Sequence, residues 1–444
     1  MTRPGFGAIA LGLAALGTVS GKLGLGLSAY APAAICFVLF VCLEWRRTVR
    51  QARIFVAIAL VTAAATLWIW PDLRPAMWTA GLDALSFATL LASLALLRAP
   101  MGRSTLVRGA ASWLLARPGG QRYAAISFGS HFLALIFNVG ILQLIGEILQ
   151  AAGLRCADSA TARQLLLGAM RASTSLVLWS PMAMGFAVIS TALPGLDPII
   201  YIAVGLLLAL VLVGTGCLIT GKASGEILPA QETPPNLKAL LILLAGAASL
   251  FCVTFGLYWL LGLAFITATS LAVAAFALAW NWLEPPETGL GLGLMIARLT
   301  ELRSEMFIFA ASTVIGASIA AAFRVIGPQA LDAVDGVWVP LACMLGIPAL
   351  AAFAIPPSIP VILGAQLLAS TSIAAAHPIS LGLSLTAGWS LGMLVSPVSA
   401  TLLIAGNIAS APARRVAYGW NGLYTLLAAL LSAAWIAGIY LMAF

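Results

Sequence analysis

Apolar runs of about 20 residues recur along the whole chain. They predict helices near 6–21, 24–43, 54–70, 78–97, 164–193, 199–219, 239–260, 263–283, 305–326, 381–410 and 417–440. A helix of that length crosses the roughly 30 Å apolar core of a bilayer. Two further stretches, 123–152 and 337–369, are too long for one straight crossing and are interrupted near the middle. The first reads Phe137-Asn138-Val139-Gly140 and the second Ile355-Pro356-Pro357-Ser358-Ile359-Pro360. Arms of about 15 residues reach only the midplane, so each stretch predicts a re-entrant hairpin. The expected fold class is an all-α polytopic membrane protein with about 11 transmembrane helices plus two re-entrant hairpins. The unbroken runs exclude a β-barrel, whose strands alternate over about 10 residues.

Composition agrees. Of 444 residues, 62% are hydrophobic and 8% charged, against about 25% charged in soluble domains. The bilayer is the expected solvent. The net charge of +8 does not point to nucleic acid here, because basic residues sort to cytoplasmic loops. Arginines and lysines gather in 45–53, 98–122, 154–163, 220–238, 284–304 and 411–415. One topology places all of these in the cytoplasm. It needs eleven crossings, with both hairpins returning to the side they entered. The N-terminus is then cytoplasmic, the C-terminus extracytoplasmic, and the expected location is the inner (plasma) membrane. The first run is read as a membrane helix and not as a cleaved signal, since no A-x-A site follows it.

The second half repeats the first at a near-constant offset. Ser180-Pro181 answers Ser396-Pro397, Gly129 answers Gly346, and Phe87 answers Phe307. The predicted division is N-terminal helices over 1–53, a first repeat over 54–219, a cytoplasmic linker over 220–238 and a second repeat over 239–444. Each repeat holds a hairpin (123–152; 337–369) and a broken helix (164–193; 381–410). The assigned topology turns the two repeats opposite ways, as in many secondary transporters. This order of parts resembles the ion transporter superfamily of citrate, C4-dicarboxylate, gluconate and arsenite carriers. Symporters of that group carry Ser-Asn-Thr at the hairpin tips, and here Asn138 and Ser358 match. The resemblance implies an elevator-type carrier, a homodimer, and a substrate site between the two tips and the two broken helices.

Broken helices leave backbone N–H and C=O groups unpaired at mid-depth, where they must face a ligand, an ion or a wet cavity. The candidate substrate residues are therefore Asn138, Val139, Gly140, Arg171, Ser173, Thr174, Ser175 and Ser180 in the first half. Those in the second half are Pro357, Ser358, Gly388, Ser390, Ser396, Ser399 and Thr401. The hydroxyls can serve an oxyanion or a sodium ion, or can bond their own helix backbone. Arg171 can pair a substrate carboxylate or snorkel to the surface. Asp83 has no cation within one helical turn and is the candidate proton carrier; Asn138 and Ser175 are the candidate sodium ligands. Glu305 sits at an interface, and Glu147 lies near the cytoplasmic end of its hairpin. His131 is read as a packing histidine, and His377 as structural.

No phosphate-binding loop and no HExxH motif occur, and Gly289, Gly291 and Gly293 follow no strand. The six cysteines show no metal spacing. The expectation is a non-enzymatic secondary carrier of a small, anionic solute without a cofactor, coupled to Na+ or H+. A cation/proton antiporter using Asp83 is the alternative, and a membrane-embedded glycan-lipid enzyme the second.

Overall fold

The computed structural model describes residues 5–101, 104–138, 140–151, 153–156, 158–193, 195–220, 234–283, 291–326 and 336–442. Val139 lies outside the described residues. Twenty α-helices appear among them: α1 (Phe6–Ser20), α2 (Leu27–Glu44), α3 (Arg50–Ile69), α4 (Arg74–Met101), α5 (Thr105–Leu115), α6 (Gly119–Phe137), α7 (Gly140–Ala151), α8 (Ala160–Ser175), α9 (Met184–Ala192) and α10 (Pro198–Thr220). The series continues with α11 (Leu237–Leu261), α12 (Phe265–Leu283), α13 (Leu292–Arg298), α14 (Arg303–Ile326), α15 (Trp338–Ala352), α16 (Ser358–Leu368), α17 (Ser372–Ala376), α18 (Pro378–Val395), α19 (Ala400–Ala409) and α20 (Gly422–Leu441). Ten helical segments are long and apolar enough to cross a membrane. The stretch 164–193 is not among them, because it divides into two short helices, α8 and α9.

Local chemistry explains the interruptions. Pro181 has no N–H to donate, so α8 cannot run on into α9. The chain between them stays bonded through Ser180 N–H to the Leu176 carbonyl and Met182 N–H to Ser180 Oγ. Pro397 stops α18 in the same way, and Ser399 Oγ then caps α19 by accepting from Leu402 N–H at 3.2 Å. Asn138 turns α6 into α7 at φ 51°, a positive value that asparagine tolerates better than most residues. Between α15 and α16 the turn falls on Ala354 at φ 65°, just before Pro356-Pro357.

Burial sorts the helices into a centre and a rim. Every residue of α18 from Ile379 to Gly392 is buried, as is α8 from Leu165 to Ser175. The rim helices show apolar side chains outward, Leu60, Val61 and Trp68 on α3 among them. That is the pattern of a protein whose solvent is lipid. The packing is reciprocal. The first hairpin's α6 lies along α8, and the second hairpin's α15 lies along α18. The return arm α7 packs on α19, from the other half, while the return arm α16 packs on α9. Helices α4 and α14 pack against each other.

Candidate functional site

Close approaches seat several of these elements on one another. A Cβ at Gly205 would stand 2.5 Å from the Leu178 carbonyl oxygen, so α10 touches the backbone of the first break because residue 205 is glycine. A Cβ at Gly392 would stand 2.7 Å from Pro357 Cβ, which seats the second hairpin's turn on α18. On α7, Gly146 faces Ile408 of α19.

At the first break, Ser173, Thr174 and Ser175 are hydrogen-bonded. Ser173 donates to Met170 O, Thr174 to Met170 O and Arg171 O, and Ser175 to Ala172 O. They bond their own helix, the alternative open to them from sequence. His131 on α6 closes this region: Nδ1 lies 2.9 Å from Ala172 O, and Nε2 accepts from Trp179 Nε1 at 3.1 Å. An indole N–H only donates, so Nε2 carries no proton and His131 is neutral. It ties the first hairpin to the first break.

Arg171 is turned into the protein. Its Nε donates to Asn421 Oδ1 at 2.7 Å, and its Nη1 to Tyr123 Oη at 2.8 Å and Thr220 Oγ1 at 3.0 Å. The guanidinium also stacks 4.5 Å from the Tyr424 ring centre. Arg171 thus joins α6, α8, α10 and α20 through partners up to 250 residues away. Its side chain is buried and does not snorkel to the surface. Gly388 also packs, facing Ile347 and Met344 of the second hairpin's first arm.

The second break differs. Ser396 Oγ and Thr401 Oγ1 are fully buried and have no hydrogen-bond partner. Buried hydroxyls are almost always paired, and an orphan at a helix break needs a reason. Ser399 is occupied by Met393 O, to which it donates at 2.8 Å, and by its cap. Ser390 and Ser358 are buried on α18 and at the start of α16, while Asn138 is half-buried at its turn. The structure therefore brings Pro357 onto α18, leaves Ser396 and Thr401 unpaired, and gives Arg171, Ser173 and Thr174 hydrogen-bond partners within the protein while Gly388 packs on the second hairpin.

A polar cavity of about 310 Å³ opens beside these elements, between α4, α9, α14 and α16. Asp83 and Arg324 both line it, with Gln366 from the second hairpin. Gln366 Oε1 is buried and unpartnered. Asp83 does have cations to hand: Arg324 across the cavity, and Lys22 within electrostatic reach. Sequence spacing missed them because they come from other helices. The ion pairs present among the described residues are Arg47–Glu44, Arg298–Glu301 and Arg303–Glu44, so Asp83 and Arg324 are not directly joined. From the cavity wall an aromatic series leads inward. Phe87 meets Phe309 at 6.3 Å between ring centres, and Phe309 meets Trp389 of α18 at 5.8 Å. At the opposite end of α4, Arg98 lies in the field of Glu305 and Glu301. Helices α4 and α14 each carry one acid and two arginines, Asp83 with Arg74 and Arg98, and Glu305 with Arg303 and Arg324. Asp83 shares the cavity wall with Arg324, and Glu305 acts on Arg98.

Two long broken helices, two hairpins and a rim of apolar helices define a polytopic helical membrane fold of the kind found in solute carriers. Solved structures share it. The YdaH transporter of Alcanivorax borkumensis superposes with a TM-score of 0.57 at 13% identity, over 88% of this chain and 97% of that one. MtrF of Neisseria gonorrhoeae, described as illuminating a class of antimetabolite efflux pumps, gives 0.58 at 12% identity, over 87% of this chain and 94% of that one. At such identities the likeness concerns the fold. No protein-family model and no curated protein sequence matches the chain.

Proposed function

We propose that this protein is a secondary active transporter for a small organic anion, working by elevator-type alternating access in the plasma membrane, with its site where the hairpin turns meet the broken helices. The observation that carries the reading is the pair of orphaned buried hydroxyls, Ser396 and Thr401, at a helix break. Free donors and acceptors at such a break suit an oxyanion or a cation better than they suit packing. The reciprocal packing of α7 on α19 and of α16 on α9 supports an inverted repeat with its two-fold axis in the membrane plane. Asp83 and Arg324 line a polar cavity beside the site, and the aromatic series Phe87–Phe309–Trp389 runs from its wall to α18. Both structural neighbours are transporters and one is an efflux pump, which favours export as the direction. Na+ or H+ supplies the drive, and a homodimer is the expected assembly.

Ligand-induced stabilisation tests this directly. Purified protein is screened against small carboxylates, with and without sodium, by thermal unfolding. A ligand at 100 times its Kd adds about 2.7 kcal/mol. Such a ligand is expected to raise the wild-type unfolding temperature and to leave Asn138→Leu unmoved. A ligand that stabilises both equally binds elsewhere and overturns the placement of the site.

The cavity favours a second reading of the coupling. Asp83 can take up a proton in place of its cationic neighbours, and the carrier then runs on a proton gradient. The Asp83→Asn experiment in the Discussion separates this from sodium coupling.

A further inference from the structure

A second crevice lies away from the breaks. It encloses about 920 Å³ between α2, α3, α4 and α14, at the upper end of volumes that hold small organic molecules, about 300–1,000 Å³. Its walls are apolar: Phe37 and Val41 from α2, Leu60 from α3, Leu82 from α4 and Val314 from α14. One end is different. Arg46 and Arg47 line it there, in the turn that leads from α2 to α3.

The charges at that end do not cancel. Glu44 is buried, with Arg47 Nη1 at 3.2 Å from Oε1 and Arg303 Nε at 3.8 Å from Oε2. One carboxylate meets two arginines, and exposed Arg46 adds a third positive group. The site is thus a long apolar slot with a net positive head. Its chemical complement is an amphiphile with an anionic head and long chains. Arginine-rich turns sort to the cytoplasmic side, where anionic lipids supply such molecules.

We propose that this crevice binds an anionic phospholipid, its phosphate on Arg46 and Arg47 and its acyl chains along the α2–α4 wall. The proposal is independent of what the carrier moves. Gly81 offers a clean probe. It lines the crevice, and a Cβ there meets nothing within 4 Å. A larger residue at 81 enters the slot with its Cβ free of contacts, and on an α-helix it improves local propensity.

Protein in mixed micelles holding equal phosphatidylglycerol and phosphatidylcholine is transferred to native mass spectrometry, and retained lipid is counted. Wild type is expected to retain phosphatidylglycerol preferentially. Arg46→Gln should lower that preference roughly fivefold, from the loss of one interfacial arginine, while Arg46→Lys keeps it. Gly81→Leu should reduce retention of both lipids, with an unchanged size-exclusion profile. Equal retention of the two head groups in wild type overturns the proposal. So does retention that ignores Gly81→Leu. A Gly81→Leu variant that loses its oligomeric state while keeping its lipid would assign the crevice to a second copy of the chain instead.

Discussion

Replacing Thr401 by valine removes one hydroxyl and keeps the shape. Thr401 is fully buried and its Oγ1 has no partner. A buried, unpaired hydroxyl costs about 1–3 kcal/mol relative to a satisfied one. Valine needs no partner, and its side chain is β-branched like threonine, so the helix start of α19 is undisturbed. Thr401→Val should therefore stabilise the ligand-free protein by about 1–2 kcal/mol. Ser396→Ala should act alike but more weakly, because it also deletes volume from a filled core. The same two variants should lose most of their transport, since the hydroxyls are retained for ligand or ion. Thermal unfolding in detergent reads the first effect, and flux into vesicles of stated solute content reads the second. The informative result is the opposition: stability rises while transport falls. A Thr401→Val protein that is destabilised by 1 kcal/mol or more (roughly the worth of one hydrogen bond) and transports normally would show that the hydroxyl bonds its own helix and serves packing alone.

Arg171→Met should cost about 3–5 kcal/mol of stability, because three acceptors on α6, α10 and α20 lose a charged donor together; a normal unfolding temperature with lost substrate affinity would return Arg171 to the binding site. Tyr123→Phe, which removes one of those bonds, should cost about 1–1.5 kcal/mol in the same assay. Asp83→Asn should leave sodium-stimulated flux intact if sodium drives the carrier. Selective loss of the response to a pH gradient in that variant would assign the coupling to protons.

The helices and their interruptions were legible because a bilayer imposes length and apolarity on every crossing, and because Pro181, Pro397 and Pro356-Pro357 cannot continue a helix. Helix α5 is hidden in the sequence because its 11 residues are too short for a crossing and arginines surround it, although its buried Val107, Ala110, Ala111 and Leu114 recur at helical spacing. The roles of Arg171 and Asp83 were beyond local reading. Arg171 is satisfied by Asn421, 250 residues away, and Asp83 faces Arg324 only because α4 and α14 pack against each other. Gln366 was overlooked as a single amide in a hairpin arm. The Trp179 partner of His131 lies 48 residues away and is reached only because α6 packs beside the first break.

Side-specific access to the hairpin turns is the most direct test of the transport claim, and it needs no known substrate. Asn138→Cys and Ser358→Cys are placed singly in a protein whose six native cysteines are replaced, and each is reconstituted in vesicles with one orientation. An impermeant thiol reagent is supplied inside or outside, before and after the ion gradient is imposed. Each position should react from one side at a time, with the favoured side changing as the gradient changes. Reaction of the same position from both sides at equal rates, whatever the gradient, would describe an open pore and contradict alternating access.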